Sequence, residues 1–180
     1  MAKARAMNAI ELLKADHRAV EELFAKFEKA RGNKADIAQK ICHELIAHTI
    51  IEEEIFYPAL RGKIEDDLLD EAYVEHDGAK ILIAEILAGA PSDDFYDAKV
   101  TVLSEEIKHH VKEEEKRGEG MFAQAREAGV DLDALGEAMD ARKREVMPEV
   151  QASGAEMIET RTIQGEPPAK GTPPVYQAAE

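Results

Sequence analysis

The sequence predicts an all-α fold: an antiparallel up-down-up-down four-helix bundle with an additional C-terminal helix and a disordered tail. Apolar residues recur every three or four positions through four long stretches. Turn residues separate those stretches, and nothing between them alternates as a strand would. Only 5% of residues are aromatic while 34% are charged, which favours helices over a β-sandwich. With 180 residues, 44% of them hydrophobic, the chain is long enough for one sizeable core.

The punctuation sets the elements. Gly32-Asn33 closes a first helix over about 8–30, and Pro58 followed by Arg61-Gly62-Lys63 closes a second over about 35–60. Gly89-Ala90-Pro91-Ser92-Asp93-Asp94 separates a third helix, about 65–88, from a fourth, about 94–115. The looser segment KRGEGMFAQAREAG leads to Asp131, a cap for a fifth helix of about 131–146. That helix places Leu132, Leu135, Met139 and Val146 on one side and is expected to dock on the bundle. Five of the seven prolines lie in 148–180, around PPAKGTPP. The expected division is therefore a bundle plus docked helix over 1–147 and a Pro/Gly-rich disordered tail over 148–180.

A net charge of −15 argues against nucleic acid and against an anionic membrane surface, since phosphates would be repelled. No apolar run approaches the length of a membrane span, and MAKARAMNAIELLKADH lacks the apolar block of a signal peptide. A single cysteine, Cys42, excludes an internal disulfide. The expectation is a soluble cytoplasmic protein.

The seams carry the chemistry. Ile10, Leu13, His17, Val20, Phe24 and Phe27 form the inward stripe of the first helix, and Ile41, Leu45, His48, Glu52, Ile55 and Ala59 that of the second. The third gives Leu69, Ala72, His76, Ala79, Ile83 and Ile86; the fourth gives Tyr96, Val100, Leu103, Ile107, His110 and Glu114. Residues equidistant from a hairpin turn lie side by side. His17 and His48 are centred on Gly32-Asn33, Glu52 and His76 on Ile64, and His76 and His110 on Asp93. Four histidines and two glutamates are thus expected in one layer of the core.

Unpaired, each such group would lose several kcal/mol on burial, against a total stability of about 5–15 kcal/mol. Metal coordination compensates most fully, because imidazole nitrogen and carboxylate oxygen are ligands and the cation cancels the charge. Each His-x-x-x-Glu pair shares a helix face about 6 Å apart along the axis. Two pairs plus two lone histidines make a two-fold set suited to two metals about 3.5–4 Å apart, bridged by the carboxylates. Each lone histidine follows an acid (Asp16, Glu75) and each pair is followed by a glutamate (Glu53, Glu115), neighbours read as solvated or as supports for the ligands. The competing reading is a hydrogen-bonded polar layer, or a fourth helix rotated to present His109 and Glu113. His43 and His109 otherwise lie off the seams, Cys42 reads as packing, and Tyr57 and Tyr73 as packing residues or donors near the cluster.

The residues Asp16-His17 with EELFAKFEK, His48-TII-Glu52-EEIFYP, Glu75-His76-DGAK and His110-VKE-Glu114-E resemble the hemerythrin family, specifically the hemerythrin-like HHE cation-binding proteins, over about residues 8–125. The resemblance implies a non-haem centre of two iron ions with oxo or hydroxo and carboxylate bridges. His17, His48, His76 and His110 would be terminal ligands and Glu52 and Glu114 the bridges. Nitrogen and oxygen donors without thiolate also accept zinc or manganese. Oxygen-carrying members add a histidine four residues after the third; here that position is Lys80, which shifts the expectation from reversible oxygen carriage towards chemistry at an open position. The polar stretch EKRGEGMFAQ after Glu114 is expected to end its helix early and expose one side of the site. The function classes that follow are a protein binding or reacting with O2, NO or peroxide in redox, oxidative-stress or iron response, an iron storage or sensing module without catalysis, and a reversible oxygen binder.

Overall fold

A computed structural model describes residues 6–163, whose regular elements are all helices, with no strand among them. Helix α1 (Ala9–Lys29) opens with a reciprocal cap: Asn8 Oδ1 accepts the Glu11 N–H and Glu11 Oε2 accepts the Asn8 N–H, both at 3.0 Å. Asn33, in the left-handed region at φ 47°, turns the chain into α2 (Lys34–Ile51). Helix α4 (Asp66–Ala88) and α5 (Tyr96–Glu115) follow, then α6 (Met121–Glu127) and α7 (Leu132–Ser153). Helix α1 packs on α2, α2 on α4, α4 on α5, and α5 touches α1; α7 lies against α1 and α2.

The second helix departs from its expected register. After Ile51 the chain widens into a π-helical stretch, Glu52–Phe56, before one more α turn, α3 (Tyr57–Leu60). Pro58 explains the widening: it has no N–H and its ring crowds the carbonyl four residues back. The Tyr57 N–H accordingly reaches five residues back, to the Glu52 carbonyl. The extra residue rotates everything beyond Glu52. Phe56, Tyr57 and Leu60 are buried, while the expected Ile55 and Ala59 are only half-buried.

The seams of α1 and α4 are buried throughout as expected, and that of α5 is buried apart from a half-buried Ile107. They form two apolar cores. One gathers Val20, Phe24, Phe27, Ile41, Leu45, Ile83, Ile86, Val100 and Leu103. The other gathers Ile10, Leu13, Phe56, Tyr57, Leu60, Leu69, Met121 and Phe122. Along every helix the polar layer falls between them.

The expected boundary at Pro148 is displaced. Helix α7 carries Pro148 inside it and runs on to Ser153, followed by a 3-10 turn at Gly154–Met157. Proline in a helix interior loses about 3 kcal/mol. Burial offsets this, since Val146 and Val150 are fully buried and Met147, Met157 and Ile158 pack on the same core. Residues 158–163 then run back over α4. Residues 148–163 of the expected tail are thus packed on the helices, and the remainder of that expectation, 164–180, lies outside the described residues. At its other end, α7 crosses the chain entering α1 at Gly136, where a Cβ would stand 2.4 Å from the Met7 carbonyl oxygen. No described helix is long and apolar enough to cross a membrane.

Candidate metal centre

Residues from α1, α2 with its π stretch, α4 and α5 meet in the layer between the cores. His17, His48 and Glu52 place ligand atoms within 4.8 Å of one another, and so do Glu52, His76 and His110. Glu52 belongs to both groups: its Oε2 is 3.2 Å from His48 Nε2 and 3.3 Å from His76 Nε2. Glu114 spans them from the opposite side, 3.3 Å from His17 Nε2 and 3.7 Å from His110 Nε2. All six side chains named from the sequence are thus together and buried. His109 is exposed and pairs with Glu75, so α5 keeps the register that turns His110 inward. His43 stays outside, half-buried beside Gly154, and Cys42 is buried with its thiol pushed up to about 12 by desolvation.

The histidines are aimed by a ring of carboxylates. His17 Nδ1 meets Glu115 at 2.9 Å, His48 Nδ1 meets Asp16 at 3.3 Å, His76 Nδ1 meets Glu53 at 3.0 Å and His110 Nδ1 meets Glu75 at 2.7 Å. Each acid adjoins one inward residue in sequence and reaches the histidine of the next helix round the bundle. An ionised carboxylate accepts only from N–H, so each bond places the proton on Nδ1 and leaves Nε2 facing the centre. Glu53 and Asp16 are far from solvated: Glu53 is 4% exposed.

Inside the ring, His17 Nε2, His48 Nε2, Glu52 Oε1 and Glu114 Oε2 are buried without a hydrogen bond. Buried polar atoms left so are destabilising by about 1–3 kcal/mol each. Two nitrogens and two oxygens of this kind, on residues whose donor atoms lie within 4.8 Å of one another or 3.3 Å from such a group, are chemically a donor set a cation takes up. The charges agree. Burial alone would lower the His48 value, but Glu52 and Asp16 outweigh it and raise it to about 10. Burial likewise opposes ionisation of Glu52, and His48 and His76 reverse this and hold it well below the usual carboxylate range. Burial at His76 is likewise outweighed by Glu52 and Glu53, which raise its value, so without metal the protons of His48 and His76 supply positive charge beside Glu52.

Tyr57 is the residue the sequence left undecided. Its hydroxyl lies 3.3 Å from Glu52 Oε2, 3.2 Å from His76 Nε2 and 3.2 Å from Glu114 Oε1. Burial and the charges of Glu114 and Glu52 push its value well above the ordinary one, so it stays an O–H. The π stretch delivers it there, because the extra residue after Glu52 turns Tyr57 inward. Lys80 points elsewhere: its Nζ donates to Glu53 at 2.7 Å, Asp77 at 3.5 Å and the Glu159 carbonyl at 3.0 Å.

The expected open side is closed. Helix α5 does end at Glu115, but α6 folds back and seats Met121 and Phe122, 2% and 1% exposed, over the centre. Phe122 stacks on His17 with ring centres 5.9 Å apart. Gly120 permits the reversal, since a Cβ there would stand 2.5 Å from the Glu113 carbonyl oxygen. Between α1 and α5 lies a surface cleft of about 260 Å³ lined by His17, Arg18, Phe24, Ile107, Val111 and Glu115, with His17 the one member of the cluster in its wall.

A model of the hemerythrin HHE cation binding domain matches residues 8–122. The chain belongs to this family. The HHE domain thus takes in α1 to α5 and the start of α6, and α7 with the segment after it lies beyond the match. The fold is shared with the crystal structure of a hemerythrin HHE cation binding domain-containing protein from Mycobacterium kansasii: TM-score 0.69 and 22% identity, over 84% of this chain and 98% of that one. A protein described as a DNA nickase, from a Nostoc species, is 29% identical over 111 residues, which are 61% of this chain and 32% of that protein. The chain therefore spans about a third of that relative's length.

Proposed function

We propose that this HHE domain holds two iron ions, with His17, His48 and Glu52 on one, His76, His110 and Glu52 on the other, and Glu114 as the second bridge. One observation carries the reading: Glu52 is shared by two buried groups of donor atoms, with His17 and His48 in one and His76 and His110 in the other. The order of helix contacts supports an up-down-up-down arrangement of α1, α2, α4 and α5 around them. Nitrogen and oxygen donors without thiolate suit iron, with zinc or manganese as the other metals such a set accepts.

The reaction we infer is binding and reduction of a small oxygen or nitrogen species, O2, NO or peroxide, in a redox or iron response. Bound iron would supply the electrons. The protein's part is threefold. The cleft between α1 and α5 brings solvent space up to His17, Phe122 and the two cores cover the rest of the cluster, and the Tyr57 hydroxyl offers a proton at its centre. That hydroxyl, together with Lys80 at the position of a fifth histidine, favours a reactive site over reversible oxygen carriage. A net charge of −15 supports a chain without a nucleic-acid partner, and nothing of the nickase activity is carried to it.

The test is metal analysis of the purified chain followed by oxygen addition to its reduced form. Turnover of peroxide or NO with lasting oxidation supports the reading, and a stable spectral change reversed by removing oxygen assigns a carrier instead.

A further inference from the structure

Two of the four carboxylates behind the histidines are held by residues that lie C-terminal to the matched domain. Glu53, bonded to His76, also accepts Arg161 Nε at 2.7 Å and Lys80 Nζ at 2.7 Å. Asp16, bonded to His48, accepts Lys143 Nζ of α7 at 2.7 Å. The other two rely on the bundle itself, Glu115 on Lys14 and Arg18 and Glu75 on His109.

Arg161 is seated by a built contact. Asp77, fully buried on α4, accepts the backbone N–H groups of Arg161, Thr162 and Ile163 at 2.8, 2.5 and 3.0 Å and the Thr162 hydroxyl at 2.8 Å, all on Oδ2. Lys80 binds the same segment through the Glu159 carbonyl. Two acids, Glu53 and Asp77, and two bases, Lys80 and Arg161, therefore balance in charge on the outer side of His76. A carboxylate fixed at both oxygens cannot swing away from the imidazole it orients, and partners of this kind govern metal affinity about 10–100-fold.

We propose that the C-terminal arm is part of the metal site: Arg161, seated by Asp77, and Lys143 are positioning residues that fix Glu53 and Asp16 against His76 and His48 and thereby set how long metal is retained. The proposal rests on the reading of the six donors as metal ligands.

The experiment uses the full chain loaded with zinc, mixed with a competing chelator. Arg161→Gln and Lys143→Gln are expected to release zinc about tenfold faster than wild type, while Arg161→Lys and the exposed control Arg144→Gln stay within about twofold. In the metal-free chain, the Nδ1–H signal of His76 in nitrogen-15 NMR is expected to exchange faster in Arg161→Gln and to be unchanged in Arg144→Gln. Variants that melt earlier yet match wild type in zinc release and imidazole exchange assign the arm to stability alone and overturn the proposal. A wild-type chain that takes up no zinc contradicts the metal-site reading, and the imidazole comparison, made without metal, still decides the role of Arg161.

Discussion

Glu52 Oε2 lies 3.3 Å from Nε2 of His76 on the neighbouring helix and 3.2 Å from Nε2 of His48 on its own. One carboxylate so placed ties the two histidine pairs into a single centre. Removing it breaks both halves at once.

Glu52→Ala is therefore expected to abolish metal binding and to lower the stability of the metal-free chain by about 3 kcal/mol, because His48 and His76 lose a buried counter-charge. His43→Ala, outside the cluster and its carboxylate ring, is expected to keep full metal content. Metal analysis and chemical denaturation check the set; a Glu52→Ala chain with wild-type metal content removes Glu52 from the site.

The metal-free cluster also predicts a pH dependence. His48 is raised from 6.5 to about 10, so its proton stabilises the fold fully below about pH 6.5 and that contribution fades as pH rises through about 10. Glu52 is held well below 4.5, so its contribution is present above pH 4.5 and is lost as pH falls through its folded value. Metal must displace the His48 proton. Uptake should release protons, and affinity should rise with pH by about tenfold per unit for each proton released. Calorimetry in buffers of different ionisation enthalpy measures the number, and zero protons at pH 7 contradicts the picture.

Tyr57→Phe keeps the ring and removes the hydroxyl that reaches Glu52, His76 and Glu114. The variant is expected to fold and take up metal but to turn over peroxide or NO about a hundredfold more slowly, the low end for loss of a positioned proton donor. Unchanged turnover would leave Tyr57 a packing residue.

Phe122→Ala is expected to cost about 3–5 kcal/mol of stability and to speed metal loss to a chelator, because the ring stacked on His17 closes the end of the site. Stopped-flow chelation resolves the two effects; a chelation rate equal to wild type would show that Phe122 does not shield the centre.

Much of this was legible in the residue pattern. The three-and-four spacing placed His17, His48, Glu52, His76, His110 and Glu114 on inward seams, and turn positions set them at one height, because heptad register and hairpin symmetry are local rules. Two kinds of feature escaped, a local break in one helix and contacts made by long-range packing. The π stretch depends on how the helix yields to Pro58, and it moved the inward face from Ile55 and Ala59 to Phe56, Tyr57 and Leu60. The acids beside the ligands are plain in the sequence, but which histidine each one serves depends on the next helix round. Phe122 and Arg161 come from segments that read as loose or as tail, and only long-range packing brings them to the site. The acids adjoining His17, Glu52, His76 and Glu114 were the one sequence signal for the carboxylate ring, and none pointed to Phe122 or Arg161.

The most direct measurement is the number of metal ions per chain in wild type and in Glu52→Ala, by elemental mass spectrometry on protein purified with iron supplied. Two irons per wild-type chain and none in Glu52→Ala are expected. One iron or none in wild type, with the fold intact by circular dichroism, would contradict a dinuclear centre.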